Sequence, residues 1–240
     1  MKIYWKGSIP CKKIQWFLEG EHKILPTNLE ERREEIWKRV LTEYPDSYDG
    51  DLLELKEFKA NEEDMELSMN IIKFSRVLTL ERLGEYLKPY GTIGMQMVVL
   101  SHDREYLLIG QRASSSMYCP LYYSCPGGMF EVSDTEGSFE EACLREFNEE
   151  VELTLNDNLK LLAITSEING TVGVVFLLVG TTRNPPDVTI PVKGNEEWED
   201  TQLLWYSIQS LDRFTYSNSL ESIVFVKEYL DKFRMDLFNM

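Results

Sequence analysis

The sequence predicts an α/β protein in which a mixed sheet is packed between helices. Three observations carry that prediction. Apolar runs at Ile93–Leu100, Tyr106–Ile109, Leu159–Thr165, Val172–Val179 and Thr201–Tyr206 have the length and the bounding turns of strands. A loop and a helix interrupt them between Cys125 and Leu153. A further amphipathic stretch after the last strand supplies a second covering helix.

Residues 1–26 show no clear period, and Trp5, Ile14, Trp16, Phe17 and Leu18 are candidate core contacts. Asn28 followed by Glu31 reads as a capped helix start, giving a helix over Leu29–Tyr44 with Ile36, Trp37, Val40 and Leu41 on one stripe. Pro45 and Asp49-Gly50 end it. Leu52–Phe58 and Met65–Ile71, joined by a polar turn at Asn61–Asp64, read as an antiparallel hairpin. A short helix is expected over Leu80–Leu87. The break at Pro89-Tyr90-Gly91 divides the chain into an N-terminal α/β extension, 1–89, and a second domain, 90–240. In the second domain, Ser114–Tyr123 is a polar and aromatic loop, Asn169-Gly170 is a hairpin turn and Thr181–Gly194 is a long loop. Asn218 or Ser219 opens the last helix, whose stripe is Ile223, Val224, Val226, Tyr229, Leu230 and Phe233.

A net charge of −16 repels phosphate backbones and anionic lipid, which argues against a general nucleic-acid binder or a protein of anionic membranes, and no apolar segment is long enough to span a bilayer. It leaves a small nucleotide substrate open, because a bound dication reverses the local sign. Cys11, Cys119, Cys125 and Cys143 lack CxxC spacing and read as reduced thiols of a cytoplasmic protein. His22 and His102 sit among charged residues and read as exposed, so a histidine-based site has little material.

The chemistry concentrates in CPGGMFEVSDTEGSFEEACLREFNEEVEL. Pro126-Gly127-Gly128 forces a turn, and Ser138 with Glu141 is a reciprocal capping pair. On the helix that follows, Phe139, Cys143, Phe147 and Val151 lie toward the core, while Glu146, Glu149 and Glu150 share another face. Like charges on one turn repel, and oxygen-only ligands suit Mg²⁺ or Mn²⁺. An exposed acidic helix after a glycine turn is the plainer reading, but the ordered set Gly128, Arg145-Glu146 and Glu149-Glu150 between strands disfavours it.

These residues resemble the Nudix box of pyrophosphohydrolases, which Gly128, Arg145, Glu146, Phe147, Glu149, Glu150 and Leu153 fit. Asp134 stands where the first Glu of that pattern belongs, ten residues instead of seven separate it from Arg145, and Glu152 replaces a Gly. The longer gap is expected to enlarge the Asp134–Gly137 loop and leave the helix intact. Glu152 requires either a different helix end or a strained one. The resemblance implies an α/β/α sandwich over residues 90 to 236. Across the whole chain, Glu35-Ile36-Trp37, Pro45, Asp49-Gly50, the lengthened box, Glu146–Val151 and Glu167 with Asn169-Gly170 are similar to the atypical UDP-glucose (UDP-sugar) pyrophosphatases.

That resemblance implies a Mg²⁺-dependent enzyme (Mn²⁺ as a substitute) that cleaves a nucleoside diphosphate linked to a second group, with UDP-glucose preferred. ADP-ribose, other nucleotide sugars, coenzyme A and dinucleoside polyphosphates are rival substrates. A non-catalytic Nudix-fold binding protein is the second reading, motivated by Asp134, the enlarged loop and Glu152. The catalytic set is Arg145, Glu146, Glu149 and Glu150. The metal set is the Gly127 carbonyl with Glu146, Glu149 and Glu150. Arg145 is placed to hold Glu149 at i+4. Arg112, at a strand end, is a candidate phosphate clamp, with Gly128, Glu167 and Glu197 as further substrate-binding candidates. The general base is open among Glu167, Glu196, Glu197 and Glu199. Tyr118, Tyr122 and Tyr123 are candidates to stack on a base. The partner expected is a small nucleotide. The N-terminal segment is expected either to cover the cleft or to join two copies as a homodimer.

Overall fold

The structure is a computed structural model, and it describes residues 2–85, 90–114, 119–156, 158–166, 173–189, 192, 203–214, 219 and 221–233. Its centre is a ten-stranded mixed sheet. The strands are β1 (Lys2–Pro10), β2 (Ile14–His22), β3 (Asp51–Ala60), β4 (Met65–Lys73), β5 (Gly91–Leu100), β6 (Tyr106–Gln111), β7 (Tyr123–Ser124), β8 (Lys160–Ser166), β9 (Gly173–Thr181) and β10 (Leu204–Ser207). The helices are α1 (Thr27–Glu43), α2 (Phe74–Arg82), α3 (Phe139–Glu150) and α4 (Glu221–Phe233). No helix among the described residues is long and apolar enough to cross a membrane.

The main path runs β1-β8-β9-β5-β3-β4-β2, with β6 joining β5, β7 and β10 to one side. β5 is the axis. It pairs in parallel with β9 along its length, Thr92 opposite Gly173 through Leu100 opposite Thr181. All ten of its residues are buried, as its continuous apolar run requires of a parallel-paired strand. β3 and β4 form the expected hairpin, with Asp51 opposite Lys73 and Ala60 opposite Met65.

Residues 1–26 differ from the expectation. They form two strands, at opposite ends of the path, joined by a single 3₁₀ turn at Cys11–Lys13. β1 pairs antiparallel with β8, and β2 pairs in parallel with β4. The sheet therefore curls until its two ends meet at that turn. Ile9, Cys11 and Ile14 enter the same core cluster as Leu53, Met95, Phe139 and Phe147. Strands on both sides of residue 89 thus share one sheet and one core. Phe17 is 51% exposed rather than a core contact. The strand alternation explains this, since Ile14, Trp16 and Leu18 take the inward phase and leave Phe17 outside.

Two helix starts also differ. α1 begins at Thr27 after Pro26, with no side-chain cap. Pro26 is the N-cap, outside helical backbone at ψ 147°, and its carbonyl accepts from the Leu29 and Glu30 amides at 2.8 and 3.0 Å. Glu30, not an Asn28-Glu31 pair, reaches back to accept from the Leu25 amide at 3.0 Å. α2 begins at Phe74, ahead of the expected Leu80. Its first turn is held from a distance, because the Asp49 carboxylate accepts from the Ser75 amide at 2.7 Å and the Ser75 hydroxyl at 2.9 Å. A window along the chain cannot see a cap supplied by a residue 26 positions earlier.

One core face of the sheet carries Leu53, Leu55, Met95, Met97 and Phe176 against Phe139, Cys143 and Phe147 of α3. The other carries Val98, Leu107, Ile109 and Leu177 against Ile223, Val226, Tyr229 and Leu230 of α4. Helices on two faces of one sheet give the three-layer order that the resemblance implied. The Asn169-Gly170 turn lies outside the described residues, as do Leu87, Asn218 and most of the 190–202 segment.

Candidate active site

The site grows from the segment between β7 and α3. That segment lies along β5: Met97 donates to the Pro126 carbonyl at 2.7 Å, Met95 to the Gly128 carbonyl at 2.8 Å, and Phe130 to the Ile93 carbonyl at 3.1 Å. The carbonyls on both sides of Gly127 are thereby spent on β5. Each glycine meets a different obstacle. A Cβ on Gly127 would stand 2.1 Å from the Met95 carbonyl oxygen. A Cβ on Gly128 would stand 2.0 Å from Oε2 of Glu146. The glycine pair and the helix carboxylate therefore form one place.

The two glycines predict different failures. Gly127→Ala pushes backbone against backbone and is expected to lower the unfolding midpoint by several degrees. Gly128→Ala meets only the end of a side chain, so it is expected to melt near wild type. Displacing the Glu146 carboxylate by about 1 Å is expected to cost about 10²-fold in turnover. Thermal melts beside steady-state rates separate the two outcomes.

A 3₁₀ turn at Val132–Glu136 follows, then α3. The enlarged loop leaves the helix intact. Ser138 caps it: its hydroxyl accepts from the Glu141 amide at 3.2 Å, and the Glu141 carboxylate accepts from the Ser138 amide at 2.8 Å. Phe139, Cys143, Phe147 and Val151 are all buried, as their spacing predicts. Burial pushes the pKa of the Cys143 thiol well above its ordinary value, with the Cys11 thiol beside it adding to the effect, so the thiol stays protonated. None of the four cysteines forms a disulfide. At its far end the helix closes on Val151 in extended backbone, φ −146° and ψ 129°, with the Val151 amide donating to the Phe147 carbonyl at 2.9 Å. No left-handed residue is needed there, so Glu152 stands where the pattern has Gly without strain.

Arg145 is the hub. Its Nε and Nη2 donate to the two oxygens of Asp134 at 2.6 and 2.8 Å, a bidentate pair. Nη1 donates to Oε2 of Glu149 at 2.6 Å, the i+4 bond the spacing suggests. Nη2 also donates to Oε1 of Glu146. Asp134 is 6% exposed and accepts from the Glu131 amide at 2.8 Å, which closes a second capping box. The guanidinium is held protonated well beyond its ordinary range, by Asp134 first.

The three glutamates are not presented alike. Glu146 is 7% exposed, Glu150 is half-buried and Glu149 is exposed. Burial pushes the Glu146 carboxyl up to about 7, against the opposing pull of Arg145. Among the described residues, no group of three acidic, histidine or cysteine side chains converges as a ready-made metal cage. Instead, Arg145 stands between Asp134, Glu146 and Glu149.

Arg112 follows β6 directly and is half-buried. Its amide donates to the Tyr122 carbonyl at 2.9 Å, which ties it to the segment leading into β7 and the glycine turn. Tyr123 packs on Phe214 with centroids 5.2 Å apart, a packing contact. Glu167, Glu196, Glu197, Glu199 and Tyr118 lie outside the described residues. Sequence reasoning treated Asp134 as a departure from a pattern and missed that it is the main partner of Arg145. The signal available was an acid on the loop before the helix, facing the one cation of the box.

A glycine turn feeds a capped, acid-rich helix on a mixed sheet, and a family match makes that arrangement the site of a hydrolase acting on phosphoric anhydrides. The NUDIX domain model matches residues 93–224, more than half of the chain. The chain belongs to the Nudix family. Comparison with curated protein sequences gives no match. Among solved structures, it is similar to MutT of Aliivibrio salmonicida and Vibrio cholerae, at 18% identity over 52% of this chain and 88% of that one, TM-score 0.36. It is similar also to the MutT protein of Methanosarcina mazei, at 17% identity over 60% and 94%, TM-score 0.42. A third is a bifunctional NMN adenylyltransferase/ADP ribose pyrophosphatase of Francisella tularensis complexed with AMP and a Mn ion, at 18% identity over 65% and 46%, TM-score 0.44.

Proposed function

We propose that the protein is a Mg²⁺-dependent pyrophosphohydrolase of nucleoside diphosphates linked to a second group. A UDP-sugar such as UDP-glucose is the first candidate, giving UMP and a sugar 1-phosphate. The observation that carries the reading is the buried Glu146 carboxylate set against Gly128 and fastened by Arg145. The preference for a UDP-sugar rests on the whole-chain sequence resemblance.

The donor chemistry fits a hard dication. Glu146, Glu149 and Glu150 offer carboxylate oxygens and Gly127 offers a carbonyl. Arg145 takes Oε1 of Glu146, while Oε2 lies against Gly128. A carboxyl whose acidity burial has weakened to about 7 is one that a cation beside it would return to the charged form. Bound there, the metal would offset charge on the diphosphate oxygens.

The residues of the chain supply the rest. Arg145 fixes the rotamers of Glu146 and Glu149. The glycine pair lets backbone approach a phosphate closely. Arg112 is the candidate clamp on a phosphate. Hydrolysis consumes one water and breaks one bridging P–O bond, and Glu167, Glu196, Glu197 and Glu199 are the candidates to take the proton of that water.

The test is a panel of UDP-glucose, ADP-ribose, coenzyme A and a dinucleoside polyphosphate, each with Mg²⁺, with Mn²⁺ and with a chelator. Turnover of UDP-glucose that the chelator abolishes is the expected result. Preference for another member reassigns the substrate. Folded protein that turns over none of them defeats the enzymatic reading. One observation favours a non-catalytic binding protein instead: Arg145 already pairs with Asp134, Glu146 and Glu149, so these carboxylates have a cation beside them without a metal. Calorimetry separates the two, since a binder returns the nucleotide unchanged in Mg²⁺.

A further inference from the structure

Trp16 lies on β2, at the end of the sheet path, far in sequence from the box. Its indole Nε1 donates to the Gly137 carbonyl at 3.0 Å, across 121 positions of chain. Its ring stands edge-on to Phe130, centroids 5.7 Å apart, and to Phe139, 5.4 Å apart. Phe130 comes just after the glycine pair, and Phe139 is the first residue of α3. One side chain therefore touches both ends of the loop that carries Asp134, and bonds that loop at its last residue. The Gly137 amide in turn donates to the Asp134 carbonyl at 3.2 Å.

We infer that Trp16 is a positioning residue, which holds the Glu131–Gly137 loop so that Asp134 meets Arg145 and Arg145 meets Glu146 and Glu149. This gives the N-terminal segment a third role beside the two its sequence suggests: it is part of the scaffold of the site. The inference rests on the proposed hydrolysis only for its kinetic consequence. The bond to Gly137 is solvent-exposed, so water can replace a lost donor and the fold does not depend on it.

The test uses the full chain with Trp16→Phe, which keeps an aromatic ring and loses the N–H, and Trp16→Leu, which loses both. Amide hydrogen exchange in residues 131–139 is expected to rise about 5–10-fold in Trp16→Phe, the size that one net hydrogen bond of about 1 kcal/mol implies, and further in Trp16→Leu. Exchange in β5, β8 and β9 is expected to stay unchanged. With whichever diphosphate the wild type turns over, kcat is expected to fall about 3–10-fold at unchanged KM, because orientation is lost and substrate contact is not. Unchanged exchange over 131–139, a rise spread evenly over the sheet, or a raised KM with kcat kept would each overturn the inference. An inactive wild type would defeat the proposed function alone, and the exchange pattern would still decide the role of Trp16.

Discussion

Glu146→Gln and Glu150→Gln are each expected to lower turnover about 10²–10³-fold, the scale of losing one preorganised group that stabilises charge at a reacting centre. The fold should survive both. For Glu146 a second readout follows from its position. Its carboxyl is pushed from an ordinary 4.5 up to about 7, chiefly by burial. Between those values the folded protein keeps a proton that the unfolded chain has released. Rising pH therefore favours unfolding of the metal-free wild type across that window. Glu146→Gln cannot titrate, so its melting temperature should gain on wild type as pH rises from about 4.5 to about 7. Added Mg²⁺ should erase that gain by stabilising the charged carboxylate of the wild type. Parallel pH dependence of the two proteins would refute the placement of Glu146.

Arg145→Met is expected to be the most destabilising single change in the box. The guanidinium is the common partner of Asp134, Glu146 and Glu149. Without it, Asp134 and Glu146 become neighbouring buried acids with no cation between them. Stranding one member of a buried ion pair costs about 3–5 kcal/mol. Denaturant unfolding should register that loss, and Asp134→Asn on the same background should recover part of it, since it removes one stranded charge. A midpoint within about 1 kcal/mol of wild type would show that the network contributes no more than an exposed ion pair does. The variant also tests whether Arg145 excludes a cation or prepares the carboxylates for one. Calorimetry with Mg²⁺ alone should show weaker binding in the variant if it prepares them.

What the sequence made legible depended on where the physical causes lay. α3 was readable because its causes are local: Ser138 and Glu141 cap it and an apolar stripe buries it. β5 was readable because burial on both faces leaves a continuous apolar run. β1 and β2 were not, since register shifts at Ile3/Trp5, Lys6/Ile9 and Leu18/His22 break their alternation and the apolar Ile3 and Phe17 face outward. The start of α2 was hidden because its cap is Asp49. The same holds at the site. The i+4 bond from Arg145 to Glu149 follows from helix geometry, whereas the Asp134 pair needed the loop to fold back. The Trp16 contact needed the entire sheet to close.

That closure limits how this domain can be cut. Residues 2–22 furnish both terminal strands of the path, one against β8 and one against β4. Trimming them would not shorten the protein from one side. It would bare two separate rows of backbone amides and carbonyls at once, each able to recruit a strand from a neighbouring molecule. A version cut to the 90–240 half would lose β3 and β4 as well, baring β5 in addition to β8, and would be prone to self-association, so soluble versions should keep residues 2–22.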